Sequence, residues 1–259
     1  MQNFAEFSFT YGNATRRVYH QGNGPAVIIM HELPGMIPEC VDLARRVAKA
    51  GFTVFLPLLF GQPNVPFSVP QTLVYTTQLC ISREFYLLAK HKSSPITEWL
   101  RALCREVYPR CNNTGVGVIG MCLTGNFVLS MMADEVVMAP VISQPSLPLP
   151  LSSDRASALG ISQQDLAQAK QRAESGVNLL ALRFSEDRTC PAQRFATLRQ
   201  EFGKNIETIE IDSSKNNPYQ IPQNAHAVLT MHFVDQDGHP TKEALGRVLA
   251  FLQEKLSST

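Results

Sequence analysis

Short apolar runs that alternate with helical patterns constrain the fold of this chain more than any other feature. Ala26–Met30 is a continuous apolar run, typical of a strand that is buried on both faces of a parallel sheet, and Phe52–Leu56, apolar apart from Thr53, is the next predicted buried strand. Between them, Cys40–Ala50 has apolar residues at helical spacing and ends at Gly51. This β-α-β unit predicts a mainly parallel sheet that is covered by helices on both faces.

The same alternation continues to the end of the sequence. Further predicted strands are Gly115–Ile119, Val136–Ala139, Asn178–Arg183 and Ile206–Ile211, and predicted helices cover about 80–90, 96–107, 125–133, 162–174, 191–202 and 241–255. At the N-terminus, two apolar-polar stretches flank Gly12-Asn13, which predicts an antiparallel hairpin. The proline-rich segments 57–79 and 143–151 are predicted to be loops.

The composition excludes several classes of protein. The 259 residues carry 23 basic and 22 acidic side chains, and Lys and Arg occur in nothing longer than pairs, so no basic surface for nucleic acid is expected. With 44% hydrophobic residues the chain can bury a core. No apolar run approaches the roughly 18 residues of a membrane helix, so we expect a cytoplasmic protein. We also expect one domain over 1–259, and a monomer or small homo-oligomer.

The six cysteines have no metal-ligand spacing, so we expect free thiols, no metal and no cofactor. One of them stands apart. In the segment Gly117–Gly125, a predicted buried strand runs into Gly-Met-Cys122-Leu-Thr-Gly and then into a predicted helix. A nucleophilic Ser or Cys occupies such a strand-turn-helix elbow in many hydrolases, although Thr124 stands where a second glycine is expected. The sequence leaves two interpretations of Cys122 open, a nucleophile or a structural thiol.

A nucleophile of this kind needs a base and an orienting carboxylate. Glu186 and Asp187 directly follow a predicted strand, where either is a candidate acid or a cap of the next helix. For the base, His226 follows the last predicted strand and a polar loop, and His232 is the second candidate. After the first buried strand comes His31-Glu32-Leu33-Pro34-Gly35, in the loop that supplies an oxyanion donor in such folds.

With these segments the chain resembles the dienelactone hydrolase family. The resemblance rests on Val27–Gly35, Phe52–Gly61, Gly117–Gly125, Arg183–Pro191 and His226, which occur in the family's order and at about its spacing. It implies an α/β-hydrolase fold in which Cys122 is the nucleophile, Asp187 and His226 complete a triad, and Glu32 controls the thiol.

The resemblance also implies two oxyanion donors, the backbone N–H groups of Leu33 and Leu123, and a substrate-binding arginine, Arg83. The family's second substrate arginine has no counterpart in the segment from His226 to Thr230. The implied activity is cofactor-independent hydrolysis of a small ester or lactone, of the carboxymethylenebutenolidase type or a related esterase. Two alternatives remain: a non-catalytic or redox-sensing thiol protein on the same fold, or hydrolysis of another bond such as an amide, a thioester or a carbon–carbon bond.

Overall fold

The structure is a computed structural model that describes residues 1–68, 94–111 and 114–257. One eight-stranded sheet contains β1 Ala5–Tyr11, β2 Ala14–Gln21, β3 Ala26–Met30, β4 Thr53–Pro57, β5 Val116–Met121, β6 Val137–Ser143, β7 Leu179–Phe184 and β8 Ile206–Ile211. The helices of the described ranges are α1 Pro38–Lys49, α2 Pro95–Val107, α3 Gly125–Met131, α4 Ser153–Ser157, α5 Gln163–Glu174, α6 Ala192–Phe202 and α7 Pro240–Leu256.

The order of the strands in the sheet is β1-β2-β4-β3-β5-β6-β7-β8. The first two strands form the predicted antiparallel hairpin, and β2 pairs antiparallel with β4. From β4 to β8 all neighbouring strands are parallel. The carboxyl ends of β3, β5, β6, β7 and β8 therefore meet at one edge of the sheet, where ligands bind in open parallel sheets.

The core forms two apolar layers, one on each face of the sheet. Along β3, Ile28 and Met30 point to one layer and Val27 and Ile29 to the other, the period of two that a strand imposes. Helices α2, α3, α5 and α6 cover the first layer, and α1 and α7 cover the second. This arrangement confirms the predicted α/β-hydrolase fold, in which a mainly parallel sheet has helices on both faces.

Two elements differ from the prediction. The strand β6 runs from Val137 to Ser143, beyond the predicted range Val136–Ala139. Pro140 lies within the strand and pairs in register with Val118. Proline cannot donate a hydrogen bond to a neighbouring strand, so its presence in the sequence resembles the end of a strand. The short helix α4 occupies a segment without a helical pattern. The predicted helix at about 80–90 lies outside the described residues, as does most of the segment 57–79.

Within the part of the chain that the structure describes, every helix is too short or too polar to cross a lipid bilayer.

Candidate active site

Cys122 lies directly after the carboxyl end of β5, in the turn that leads to α3. Its φ is +54°, a left-handed backbone conformation that residues other than glycine rarely adopt. A short 3₁₀ turn over Cys122–Thr124 connects it to the helix. The side chain is half-buried, so the thiol remains accessible at the edge of the sheet.

Two residues around Cys122 show why the turn takes this shape. A Cβ atom on Gly120 would lie 2.4 Å from the backbone oxygen of Thr124, so only glycine allows α3 to approach the strand so closely. The hydroxyl of Thr124 accepts the N–H of Met121 at 2.9 Å and lies 3.1 Å from the carbonyl oxygen of Met30. Thr124 therefore fits the position of the expected second glycine because its side chain ties the turn to the end of β3.

Asp187 follows the carboxyl end of β7 and uses both of its carboxylate oxygens. Its Oδ1 accepts hydrogen bonds from the N–H and hydroxyl of Thr189 and from the N–H of Cys190. Its Oδ2 lies 2.6 Å from Nδ1 of His226. Burial by itself would raise the pKa of Asp187, but the hydrogen bonds from His226 and Thr189 lower it, so the group is a carboxylate. The aspartate thus holds its own turn and orients His226, whereas its neighbour Glu186 is exposed.

His226 lies in the loop that follows β8. Because Nδ1 faces Asp187, Nε2 is the ring nitrogen available toward Cys122. Burial alone would lower the pKa of His226, but the charge of Cys122 and the bond to Asp187 outweigh it, and the pKa lies well above its ordinary value. A histidine with a raised pKa next to a thiol is the kind of partner that activates a cysteine.

His232, the second candidate base, forms hydrogen bonds with the backbone of the loop that carries His226. Its Nδ1 lies 3.4 Å from the N–H of His226 and 3.3 Å from the N–H of Ala227, both of which it accepts. The ring packs edge-on against Phe184 at the end of β7. Burial and the nearby His226 lower the pKa of His232, which keeps the ring neutral and able to accept. His232 therefore stabilises the loop that carries His226.

Glu32 is a buried carboxylate directly after β3. Its Oε1 accepts a hydrogen bond from the hydroxyl of Thr230, and its Oε2 accepts one from Nε2 of Gln144 at 3.2 Å. Burial raises the pKa of Glu32, while His226 and the two hydrogen bonds act in the opposite direction. Atoms of Glu32, Cys122 and His226 that can act as ligands all lie within 4.8 Å of one another. Glu32 is therefore part of the same cluster as the thiol and the imidazole.

The neighbouring His31 has a structural role. Its Nε2 accepts the N–H of Leu59 at 3.0 Å, which ties the end of β3 to the segment after β4. The ring is fully buried and packs edge-on against Phe60. Burial lowers the pKa of His31 to about 4, so it is neutral at physiological pH.

The loop after β6 brings a hydroxyl to the thiol. Oγ of Ser146 lies 3.1 Å from Sγ of Cys122, and the N–H of Ser146 donates to the carbonyl oxygen of Cys122 at 3.2 Å. Arg194 of α6, which is fully buried, fixes this loop by donating only to backbone carbonyl oxygens. Those acceptors belong to Pro145, Pro148, Arg155, Ala158 and Thr189. Arg194 thus connects the Ser146 loop to the turn of Asp187, and its donors are not available to a substrate.

The structure brings Cys122, Asp187, His226 and Glu32 together from four different loops. Leu123 directly follows the cysteine in the 3₁₀ turn, and Leu33 lies in the turn after Glu32, half-buried against the core. Arg83 lies in 69–93, outside the described residues.

Among the residues that sequence reasoning missed, Gln144, Ser146, Thr189 and Thr230 contact this cluster through their side chains. Gln144 and Ser146 follow the carboxyl end of β6, and the rule that ligands bind at such ends is a signal that could have identified them. The proline-rich character of this segment indicated only a loop. Thr230 ends the segment in which the family's second substrate arginine has no counterpart, and nothing in the sequence places its hydroxyl on Glu32.

A parallel sheet that presents cysteine, aspartate and histidine in this order, after β5, β7 and β8, has the α/β-hydrolase fold. Solved structures of similar fold include the dienelactone hydrolase-like promiscuous phosphotriesterase P91 from metagenomic libraries, with a TM-score of 0.64, 16% identity and 98% of both chains covered. Another is the dienelactone hydrolase from Anabaena variabilis, with a TM-score of 0.63, 12% identity, and 99% of this chain and 100% of that chain covered.

The chain belongs to the dienelactone hydrolase family, whose family model matches residues 15–256. Among curated proteins, the fragment YghX of Escherichia coli K12 is 50% identical over 36 residues, which are 14% of this chain and 31% of that protein. That match spans about a third of the relative's length. The chain therefore belongs to a family of hydrolases.

Proposed function

We propose that this protein is a cysteine hydrolase of small esters or lactones. The observation that carries the proposal is the hydrogen-bonded pair of His226 and Asp187, 2.6 Å apart, next to a thiol in a strained turn at the end of β5. A base held by a carboxylate beside a nucleophile is the arrangement that acyl transfer needs.

In the first half of the proposed reaction, the thiolate of Cys122 attacks the carbonyl carbon of the substrate. The backbone N–H groups of Leu33 and Leu123 donate to the oxyanion. The loss of one such donor typically lowers the rate about 10²–10³-fold. The C–O bond then breaks, the leaving oxygen takes the proton of the His226 imidazolium, and a thioester remains on Cys122. In a lactone, the leaving group stays attached to the acyl chain.

In the second half, neutral His226 takes a proton from water, and the hydroxide attacks the thioester. The tetrahedral intermediate collapses to release the acid, and Cys122 leaves as a thiolate beside the protonated His226. The carboxylate of Asp187 stabilises the imidazolium and keeps Nε2 toward the thiol. Glu32, within 4.8 Å of both partners, opposes a thiolate and favours an imidazolium, so we assign it control of the thiol.

The substrate is a small molecule, and Arg83 binds its carboxylate where it has one. The reaction requires no cofactor and no metal. Five cysteines of the described residues are free thiols, which favours a reducing compartment such as the cytoplasm, where we place a monomer or small homo-oligomer with one domain.

The test of the proposal is a panel of aryl esters and lactones, assayed with the wild type and with Cys122→Ala. We expect turnover by the wild type, a thioester on Cys122 detectable by mass spectrometry, and no turnover by Cys122→Ala. Cys111→Ala is the matched control, because it removes a buried thiol from another part of the core. Full activity of Cys122→Ala, or a wild type that turns over no ester while Cys122 is reversibly oxidised, contradicts the proposal.

The proposed role of Arg83 needs paired substrates, one ester with a carboxylate and one without. With Arg83→Ala, we expect KM to rise about tenfold or more for the carboxylated ester only, because a charge-assisted hydrogen bond contributes about 1.5–3 kcal/mol. Equal effects on both esters would show that Arg83 does not recognise the anion.

A further inference from the structure

The cluster of Glu32, Cys122 and His226 has the composition of a transition-metal site. It offers one thiolate sulfur, one imidazole nitrogen and one carboxylate oxygen, a ligand set that suits Zn²⁺. The three ligands come from the ends of β3 and β5 and from the loop after β8. No spacing in the sequence brings them together, so this site was not predictable from motifs.

We propose that these three side chains bind a divalent transition-metal ion, Zn²⁺ in the first place, and that the ion inhibits the enzyme by occupying the thiol. Three protein ligands leave a fourth position for water, as in open zinc sites. The inhibition rests on the proposed function, whereas the binding of the metal does not.

The distances are compatible with this assignment. The candidate atoms lie within 4.8 Å of one another. Tetrahedral Zn²⁺ with bonds of about 2.0–2.3 Å holds its ligands roughly 3.3–3.7 Å apart. The side chains therefore need to close by about 1 Å, which small rotations about side-chain bonds supply. Cys122 is half-buried and the side chain of His226 is 24% exposed, so the cluster is open to an incoming ion.

The surroundings already orient two of the three ligands. Asp187 holds Nδ1 of His226 at 2.6 Å, so Nε2 is left for the metal, the arrangement of the carboxylate–histidine–zinc triads. The hydroxyl of Thr230 and the amide of Gln144 hold the carboxylate of Glu32. Such outer partners typically contribute about 10–100-fold to metal affinity.

The charge of the cluster also favours a cation. Among the described residues, the hydrogen-bond partners of the Glu32 carboxylate are the neutral side chains of Thr230 and Gln144. Asp187, hydrogen-bonded to His226, adds a second carboxylate beside the cluster. A divalent ion would compensate part of this negative charge.

The direct test uses Co²⁺ as a spectroscopic substitute for Zn²⁺, with the reduced, metal-free full chain. We expect one equivalent of Co²⁺ to produce a thiolate-to-cobalt charge-transfer band, and one equivalent of Zn²⁺ to abolish it. Cys122→Ser should lose the band, and Glu32→Gln and Thr230→Val should each bind at least about tenfold more weakly. The control Cys111→Ser, which removes a thiol elsewhere, should titrate like the wild type.

Three results would overturn the proposal: no saturable band up to millimolar Co²⁺, a band that persists in Cys122→Ser, or unchanged affinity in Glu32→Gln. Turnover is measured separately on the same samples, and we expect Zn²⁺ to inhibit and a chelator to restore activity. A protein that forms the band but hydrolyses no ester would keep the metal site and refute the proposed function. Turnover that is unaffected by saturating Zn²⁺ would refute the inhibition.

Discussion

Individual side chains around the cluster divide between chemistry and support. Cys122, His226 and Glu32 face one another, whereas His31 and His232 use ring nitrogens to accept backbone N–H groups. The same residue type therefore has opposite protonation requirements within one site. The pKa of His226 is raised well above its ordinary value, whereas burial lowers the pKa values of His31 and His232.

The neutrality of His31 predicts a pH dependence of stability. An unfolded histidine binds its proton below about pH 6.5, while His31 in the folded chain does so only at about 4. Between these values the unfolded chain binds more protons, so the contribution of His31 is complete above pH 6.5 and is lost as the pH falls toward 4. The full loss is about 3 kcal/mol.

The measurement is urea unfolding of the wild type and of His31→Gln, which keeps an acceptor for Leu59, between pH 7.5 and 4.5. The difference in the free energy of unfolding between the two proteins should shrink as the pH falls. Parallel curves over this range would contradict the neutral, buried state of His31.

The hydroxyl of Ser146 predicts an effect on the reactivity of the thiol. At 3.1 Å from Sγ, it can donate to the thiolate, and a hydrogen bond to a charged group typically contributes about 1.5–3 kcal/mol. In Ser146→Ala, alkylation of Cys122 by iodoacetamide should slow by about tenfold at pH 6. Ser146→Thr, which keeps a hydroxyl, should lie closer to the wild type, and equal rates in all three proteins at pH 6 would refute the contact.

Among the elements, the turn between β5 and α3 depends most on a single residue. Gly120→Ala would place a Cβ atom 2.4 Å from the backbone oxygen of Thr124 and 2.6 Å from a methyl group of Val128. Since the backbone has to move, we expect a loss of about 1–3 kcal/mol in the free energy of unfolding and a large loss of kcat/KM with little change in overall secondary structure. Gly246→Ala in α7, where a Cβ meets nothing within 4 Å, is the control. Wild-type kcat/KM in Gly120→Ala would contradict the tight packing of the turn.

The strands and the order of the cluster were predictable from the sequence, but its hydrogen bonds were not. Strand β3 lies at its predicted residues because a continuous apolar run marks it, and β8 because Ile and Thr, which favour strands, fill four of its six positions. The family resemblance located Cys122, Asp187 and His226. The contact between Gln144 and Glu32 spans 112 residues, and that between Thr230 and Glu32 spans 198. Such contacts can be predicted only when the order of the strands in the sheet is known, and local sequence patterns do not contain that order.

Over the whole molecule, the near-balance of charge predicts how turnover responds to salt. A formal net charge of +1 provides no broad positive field to attract anionic substrates from a distance. Between about 20 and 500 mM NaCl, we expect kcat/KM for a neutral ester to change less than about twofold, and for a carboxylated ester to fall only about two- to fivefold, from screening of local cations. A fall of more than tenfold with the carboxylated ester would indicate a steering field and refute this prediction.

The strand order β4-β3-β5-β6-β7-β8 has a further consequence for the folding of the chain. The groups of the proposed active site follow β3, β5, β7 and β8. Because Thr230 in the loop after β8 donates to Glu32, that loop has to dock before the hydrogen bonds of Glu32 after β3 are complete. Contacts between distant segments close slowly, since the entropy of a long loop is lost before the contact is gained. We therefore expect the proposed active site to be among the last parts of the molecule to form as the chain folds.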